Sequence, residues 1–350
     1  MAERGKSTAP QSPAPYVPAP LPDEPYFSYF GRVWRLAGRP TKKLLAAKMF
    51  GKVHKDEWDL FYSRPGASFT LSRVLRPTGY SFQPGAGLRH SLRALARPFW
   101  HQYPQELPNN SPQSSAPCYN RQLGMTETRF KETPSFCVDC VQQDIDEIGM
   151  AYWRRSHQVA GVWFCPSHGT ALVSGCQDCE TELLFDQLPD VTCPICESKY
   201  TPPLRFSGSD SHRVSRQFGI AVASVYEGRV QGPLHNVKAR DHFRSFYGKR
   251  LALPGADLCE YVERMAGDPL LDELGLRYPP RERFPWPMLF LADRLVFAQA
   301  SHQLLLYAAL TADNPNERLW HDRCPSDKEV VFEHSMLTAF PELWKQLRYQ

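Results

Sequence analysis

From Asp23 onward, apolar side chains recur at three- and four-residue steps: Tyr26, Phe27, Phe30, Val33, Trp34 and Ala37. That is the period of a helix with one apolar stripe, and Pro25 suits its first turn. Shorter helical patterns come next over 42–50, 56–62, 69–75 and 88–100, broken by Gly51, Gly66, Pro77 and Gly79. Short helices with tight breaks predict a helix-turn-helix-like bundle. Further along, the pattern predicts a helix over 141–148, then an extended run to Phe164. Helices over 212–227, an amphipathic one over 257–266, and a long apolar-rich one over 288–310 complete the pattern, the last stopping before Asn314-Pro315. The fold class is mainly α.

At 350 residues the chain has room for two or three domains. Seven prolines among Ala, Ser and Gln in the first 25 residues leave too little apolar surface to offset the entropy of ordering. The expected organisation is a disordered proline-rich leader (1–22), an N-terminal helical, helix-turn-helix-like domain (23–130), a tandem zinc-binding module (131–203) and a helical C-terminal domain (204–350). No window approaches the ~18 to 20 apolar residues of a membrane helix, and the start has no signal-peptide core. The expectation is a soluble, cytoplasmic protein with no membrane partner.

The cysteines sharpen this picture. Seven of the ten, with one histidine, fall into two sets of four: Cys137, Cys140, Cys165 and His168, then Cys176, Cys179, Cys193 and Cys196. Each set opens with C-x2-C, read as a tight knuckle aiming two thiolates at one ion. Each closes with C-x2-H or C-x2-C, which completes a tetrahedron. The second spacing resembles a zinc ribbon, with knuckles at hairpin tips. Two structural zinc ions per chain are expected. Cys118, Cys259 and Cys324 remain, a remainder that fits a reducing compartment better than a disulfide framework. A catalytic zinc keeps an open position, whereas each set supplies four ligands. No H-E-x-x-H, phosphate loop or G-x-S-x-G elbow is present, and Gly85-Ala86-Gly87 lacks the third glycine of a dinucleotide fingerprint. Asp139, Asp144 and Asp146 read as a solvated helix face rather than a magnesium site, and His235 and His302 as packing or surface residues. No enzyme is expected.

The net charge of +4 does not by itself imply a polyanionic partner. Between Leu60 and Gln105, however, there is no acid, while Arg64, Arg73, Arg76, Arg89, Arg93 and Arg97 give a local charge of +6. The guanidinium fork binds phosphate oxygens in pairs, and Tyr80, Phe82, Phe99 and Trp100 can pack or stack between them. These six arginines are the candidate nucleic-acid contacts. A solvated helix face, or a site for an acidic protein, fits the same pattern.

Cys137-x2-Cys140, then Tyr152-Trp153-Arg154-Arg155-Ser156-His157-Gln158, then Cys165-Pro166-Ser167-His168-Gly169 resembles the TniQ/TnsD family of transposition target-site selection proteins. Pro22-Asp23-Glu24 with the helix through Arg32 and Trp34 is similar to that family's start, and Trp286-Pro287-Met288-Leu289 to its later lobe. The resemblance covers most of residues 20–310. It implies a non-enzymatic adaptor that links a target-recognition element to an AAA+ transposition ATPase of the TnsC type, which recruits the transposase. Recognition in the family is either direct, on target DNA, or through an RNA-guided CRISPR complex of the Cascade type. Direct readers usually extend well beyond this length, which favours the docked adaptor. A homodimer is compatible with both routes. Val159-Ala160-Gly161 departs from the family pattern, where a proline commonly precedes the glycine. The alternative is a zinc-containing, sequence-specific transcriptional regulator.

Overall fold

The computed structural model describes residues 18–39, 129–185, 187–203, 209–230, 254–277 and 300–312. Isolated positions at 95, 232, 238, 239, 241, 242, 245, 286, 287 and 319 complete it. The helices expected over 42–50, 56–62, 69–75 and 88–100, and all six candidate arginines, lie outside the described residues, as does His235.

Helix α1 spans Tyr26–Leu36, after Pro25 in extended conformation. Its stripe is the one the periodicity predicts: Phe27, Phe30 and Val33 are buried. Beside that stripe lies a polar anchor. Glu24 has no solvent exposure, and its carboxylate accepts from Arg32 Nε at 2.7 Å and Nη2 at 2.8 Å, from Ser28 Oγ at 3.2 Å and from the Leu21 N–H at 2.9 Å. Burial raises the Glu24 carboxyl above its ordinary range, and Arg32 pulls it back. Asp23, in the left-handed region at φ 55°, takes the Arg155 side chain at 3.1 Å and the Ser156 hydroxyl at 2.6 Å on its carboxylate, while its carbonyl accepts the Arg155 N–H. Ser28 Oγ accepts the Trp153 N–H at 2.9 Å. Asp23 and Ser28 thus bolt α1 to residues 153–156, with Glu24 holding Ser28 and Arg32 in place.

Helix α2 spans Val138–Ile148 and ends at Gly149 with φ 76°. It begins three residues before the expected start, because Cys137 is its N-cap position. The expected extended run to Phe164 contains a 3-10 turn at Ser156–Gln158. That turn is buried and hydrogen-bonded by side chains: Gln158 bonds the Ser135 N–H and C=O at 3.0 and 2.8 Å. Such a turn satisfies buried backbone without a sheet partner. Pairing among the described residues is limited to five isolated antiparallel bridges: Phe130 with Val159, Phe136 with Val173, Phe164 with Ala171, Gly175 with Glu182 and Thr192 with Lys199.

Helices α3 (Asp210–Tyr226), α4 (Pro254–Leu274) and α5 (Ala300–Thr311) pack together. Ser209 caps α3 by accepting the His212 N–H at 3.2 Å. The pattern over 257–266 marks only the first part of α4; Gly267, at φ 71°, and Pro269 break its hydrogen-bond ladder before 268–274 resume. Of the span expected over 288–310, the described part is α5, buried on nearly every side, which is why its sequence shows an apolar run and no stripe. Tyr261 Oη donates to the Ala309 carbonyl at 2.7 Å, closing α4 on α5.

Two apolar cores result. The first joins Val159, Val162 and Leu172 to Phe218, Val222, Val262, Leu270 and Leu304, so it runs across position 204. The second holds Phe27, Phe136, Trp153, Val173, Leu183 and Tyr200. Among the described residues no helix is long and apolar enough to cross a membrane.

Replacing Arg32 by Met leaves Glu24 buried and unpaired, which is expected to cost roughly 3–5 kcal/mol. Urea denaturation of Arg32→Met beside Glu24→Gln/Arg32→Met measures this. The double variant, which removes the stranded charge, regains part of the loss.

Candidate metal centres

Three of the four ligand pairs sit at the tips of minimal hairpins, each closed by one of the isolated bridges. Phe164 with Ala171 brackets Cys165 and His168, Gly175 with Glu182 brackets Cys176 and Cys179, and Thr192 with Lys199 brackets Cys193 and Cys196. The residue after each pair turns left-handed: Gly169 at φ 71°, Glu180 at 57° and Glu197 at 61°. A glutamate in that conformation costs on the order of 1 kcal/mol, so a locking interaction at the tip has to offset it. The tips also aim backbone N–H groups at sulfur, His168 N at Cys165 Sγ and Ile195 N at Cys193 Sγ, both at 3.5 Å. Such donors favour thiolate over thiol. The fourth pair is different. Cys137 and Cys140 do not form a knuckle; they occupy the N-cap and first turn of α2, where unpaired N–H groups and the helix dipole favour negative charge.

The eight residues converge as two groups, and within each the donor atoms lie within 4.8 Å of one another. In the first, Cys140 Sγ lies 3.6 Å from Cys165 Sγ and 3.3 Å from His168 Nδ1, and Cys137 Sγ is 3.5 Å from His168 Nδ1. In the second, Cys176 and Cys196 are 3.5 Å apart, and Cys179 and Cys193 3.6 Å. A tetrahedral ion with metal–sulfur bonds of about 2.3 Å separates its sulfur ligands by about 3.8 Å, so both groups fit a small four-coordinate ion such as zinc. Without a cation the thiols must share protons. Hydrogen bonds from Cys137 and Cys140 pull Cys165 down to about 2, while those of Cys137 and Cys165 push Cys140 far up.

The surroundings differ between the groups. In the first, Cys137, Cys140 and Cys165 are 0, 3 and 1% exposed, and His168 is the exposed ligand. Arg154, clamped on Asp144 by two 2.8 Å hydrogen bonds and lying over the Tyr152 ring, places positive charge beside Cys140. Thr170 Oγ1 donates to the Asp139 carboxylate. Asp144 is thus buried in an ion pair and not on the solvated face expected for it, while Asp146 accepts from Gln142 on the exposed side; the three aspartates are not drawn together as a cation site. In the second group Cys196 is exposed and Cys179 half-buried. Residues 173–203 carry six acids against Lys199, a formal charge of −5.

Several residues that build these centres were not singled out by spacing. Glu273 of α4 accepts the Gly161 N–H at 2.7 Å and the Trp163 indole N–H, which fixes the segment leading to Cys165. Gly161, at φ 80°, has Leu270 and Leu274 2.9 Å from where a Cβ would stand, so α4 can approach only a glycine. The buried His157 is held neutral, pushed down to about 3 by desolvation. His302 packs on Trp286 at 4.8 Å. The one prior sign of the lock on α1 was that Asp23, Glu24 and residues 152–158 carry the family resemblance.

Residues 15–172 match the family model described as TniQ. Those residues belong to the TniQ family. A comparison with curated proteins returned no match. The TniQ match takes in α1, the Asp23–Arg155 lock and the whole first ligand set, and ends four residues before Cys176. The second ligand set and α3 to α5 stand outside it. TniQ proteins are non-catalytic adaptors of transposition target-site selection, a DNA-directed role.

Cys140→Ser and Cys193→Ser are each expected to lower the metal content from two ions per chain to one, measured by elemental analysis of purified protein. A variant that keeps two ions and a wild-type circular dichroism spectrum contradicts the assignment.

Proposed function

We propose that this chain is a TniQ-type adaptor that connects target DNA, or an RNA-guided CRISPR complex bound to it, with a TnsC-type AAA+ ATPase that recruits the transposase. The TniQ match over residues 15–172 carries this reading. The structure supports it because the matched residues are joined by buried polar bonds: Asp23 and Ser28 fasten α1 to the chain between Cys140 and Cys165, and Glu24 with Arg32 braces α1 itself. An adaptor has to transmit the position of one partner to another, and elements joined by buried polar bonds do so better than elements joined by a tether.

In this reading both ligand sets, Cys137, Cys140, Cys165 and His168 and then Cys176, Cys179, Cys193 and Cys196, hold structural zinc. Four protein donors per ion leave no open coordination position, so the metals supply shape rather than hydrolysis, and the chain is not an enzyme. The nucleic-acid face is the arginine-rich stretch containing Arg64, Arg73, Arg76, Arg89, Arg93 and Arg97, whereas the acidic ribbon over 173–203 repels phosphate. The site of action is the bacterial cytoplasm, where target DNA and ATPase are found together.

Pull-down of the zinc-loaded chain with the ATPase encoded beside it, with and without target DNA, is expected to recover the ATPase. Failure in both conditions removes the adaptor role, and footprinting of a promoter by the chain alone would establish the transcriptional-regulator alternative instead. Replacing Arg89, Arg93 and Arg97 by Ala is expected to weaken DNA binding. The slope of log affinity against log salt falls by up to about three, one for each arginine removed from a phosphate.

A further inference from the structure

The two ligand sets differ in which residue meets solvent. In the first, the three cysteines are buried and the exposed ligand is His168, whose imidazole peroxides do not readily oxidise. In the second, the exposed ligand is a cysteine, Cys196, and its neighbour Ile195 is itself 68% exposed. A zinc ion held by three thiolates and one imidazole carries a net charge of −1, and Arg154 stands beside the first set; a zinc ion held by four thiolates carries −2. Around the second set the exposed charged side chains are acids, Asp178, Glu180, Glu182, Asp190 and Glu197, with Lys199 the single base between 173 and 203. Electron density on the sulfurs, and with it nucleophilicity, is therefore higher at the second set.

We propose that Cys196 and Cys176 are a peroxide-reactive pair, and that their oxidation expels the second ion and loosens the seat of α1. This rests on the reading that the second set holds zinc. The Cys196 thiolate attacks one oxygen of the peroxide; the O–O bond breaks, hydroxide leaves, and a sulfenic acid remains. Cys176, with its sulfur 3.5 Å from that of Cys196, then attacks the sulfenic sulfur. The S–O bond breaks, a second hydroxide leaves, and a disulfide forms. The two cysteines lose two electrons and the peroxide gains two. The ion, left with Cys179 and Cys193, departs as Zn2+.

Ion loss at this place reaches α1 through packing. Cys176 and Cys193 line the same core as Phe27 of α1, Phe136 and Trp153. Phe27 packs edge-on to Phe185 at 4.8 Å, and the Trp153 indole donates to the Gln187 carbonyl at 2.6 Å, both within the segment joining the two knuckles. The first set belongs to the other core, with α3, α4 and α5. A reaction confined to the second set thus loosens α1 and spares the helical lobe.

The test treats the full-length, zinc-loaded chain with dilute hydrogen peroxide and follows released zinc with a chromogenic chelator, peptide masses and hydrogen exchange. One equivalent is expected to leave at least about tenfold faster than the other. A Cys176–Cys196 disulfide is expected before any change at Cys137, Cys140 or Cys165, with faster exchange over 26–36 and unchanged exchange over 210–226. Dithiothreitol with zinc reverses all three. Cys196→His keeps four ligands and is expected to abolish the fast phase. Release of both equivalents at one rate, or earlier modification of the first set, overturns the proposal while leaving the zinc assignment intact. Purified chain without zinc on its second set overturns both.

Discussion

Thiolates repel one another, and this chain packs seven sulfurs and an imidazole into two groups whose donor atoms lie within 4.8 Å. That crowding suits a cation. Among the described residues the middle of the molecule has single bridges in place of strands, and an ion held at the hairpin tips would supply the closure that a ladder of hydrogen bonds gives elsewhere. The left-handed glutamates at 180 and 197 carry a backbone cost that is small against the roughly 10 kcal/mol a structural zinc would contribute.

Each ligand group is built into a different core. The first centre is seated from one side by the N-terminus of α2 and from the other by a knuckle whose approach is fixed by Glu273 and Gly161 against α4. It is part of the wall on which α3, α4 and α5 pack. The second centre supports the aromatic cluster of Phe136, Trp153 and Tyr200, with rings meeting edge to face at 6.1 and 5.2 Å, against which α1 rests. Between the two runs the segment 152–158. It is apolar through Trp153, charged through Arg154 and Arg155, and buried through His157 and Gln158, so it touches the aromatic core, the end of α3 and the polar lock on α1.

That segment also ties residues inside the TniQ match to a helix outside it. Arg155 reaches Asp23 on one side and lies over the Tyr226 ring, at 4.3 Å, on the other, joining the start of α1 to the end of α3. Both interactions are partly shielded from water, where a fixed guanidinium interacts more strongly than at an exposed surface.

The sequence by itself determined the two Cys/His groupings, the apolar stripe of α1 and the mainly helical character of the described residues beyond the second grouping. Each depends on spacing along one chain: a four-residue knuckle, or a period of 3.6. It also pointed to Asp23, Glu24 and residues 152–158, though only as a resemblance. Tertiary structure alone decided that Cys137 and Cys140 start a helix instead of forming a knuckle, that Glu24 is paired with Arg32, that Asp23 holds Arg155 and Ser156, and that α4 breaks at Gly267. A buried ion pair or a helix docked on a glycine depends on which surfaces meet, and residues 132 positions apart leave no periodic trace of their meeting. The same holds for the contrast between the two centres: both sets are written as two pairs with the same two-residue gap inside each pair, and the packing around them buries the three cysteines of one set and leaves Cys196 of the other exposed.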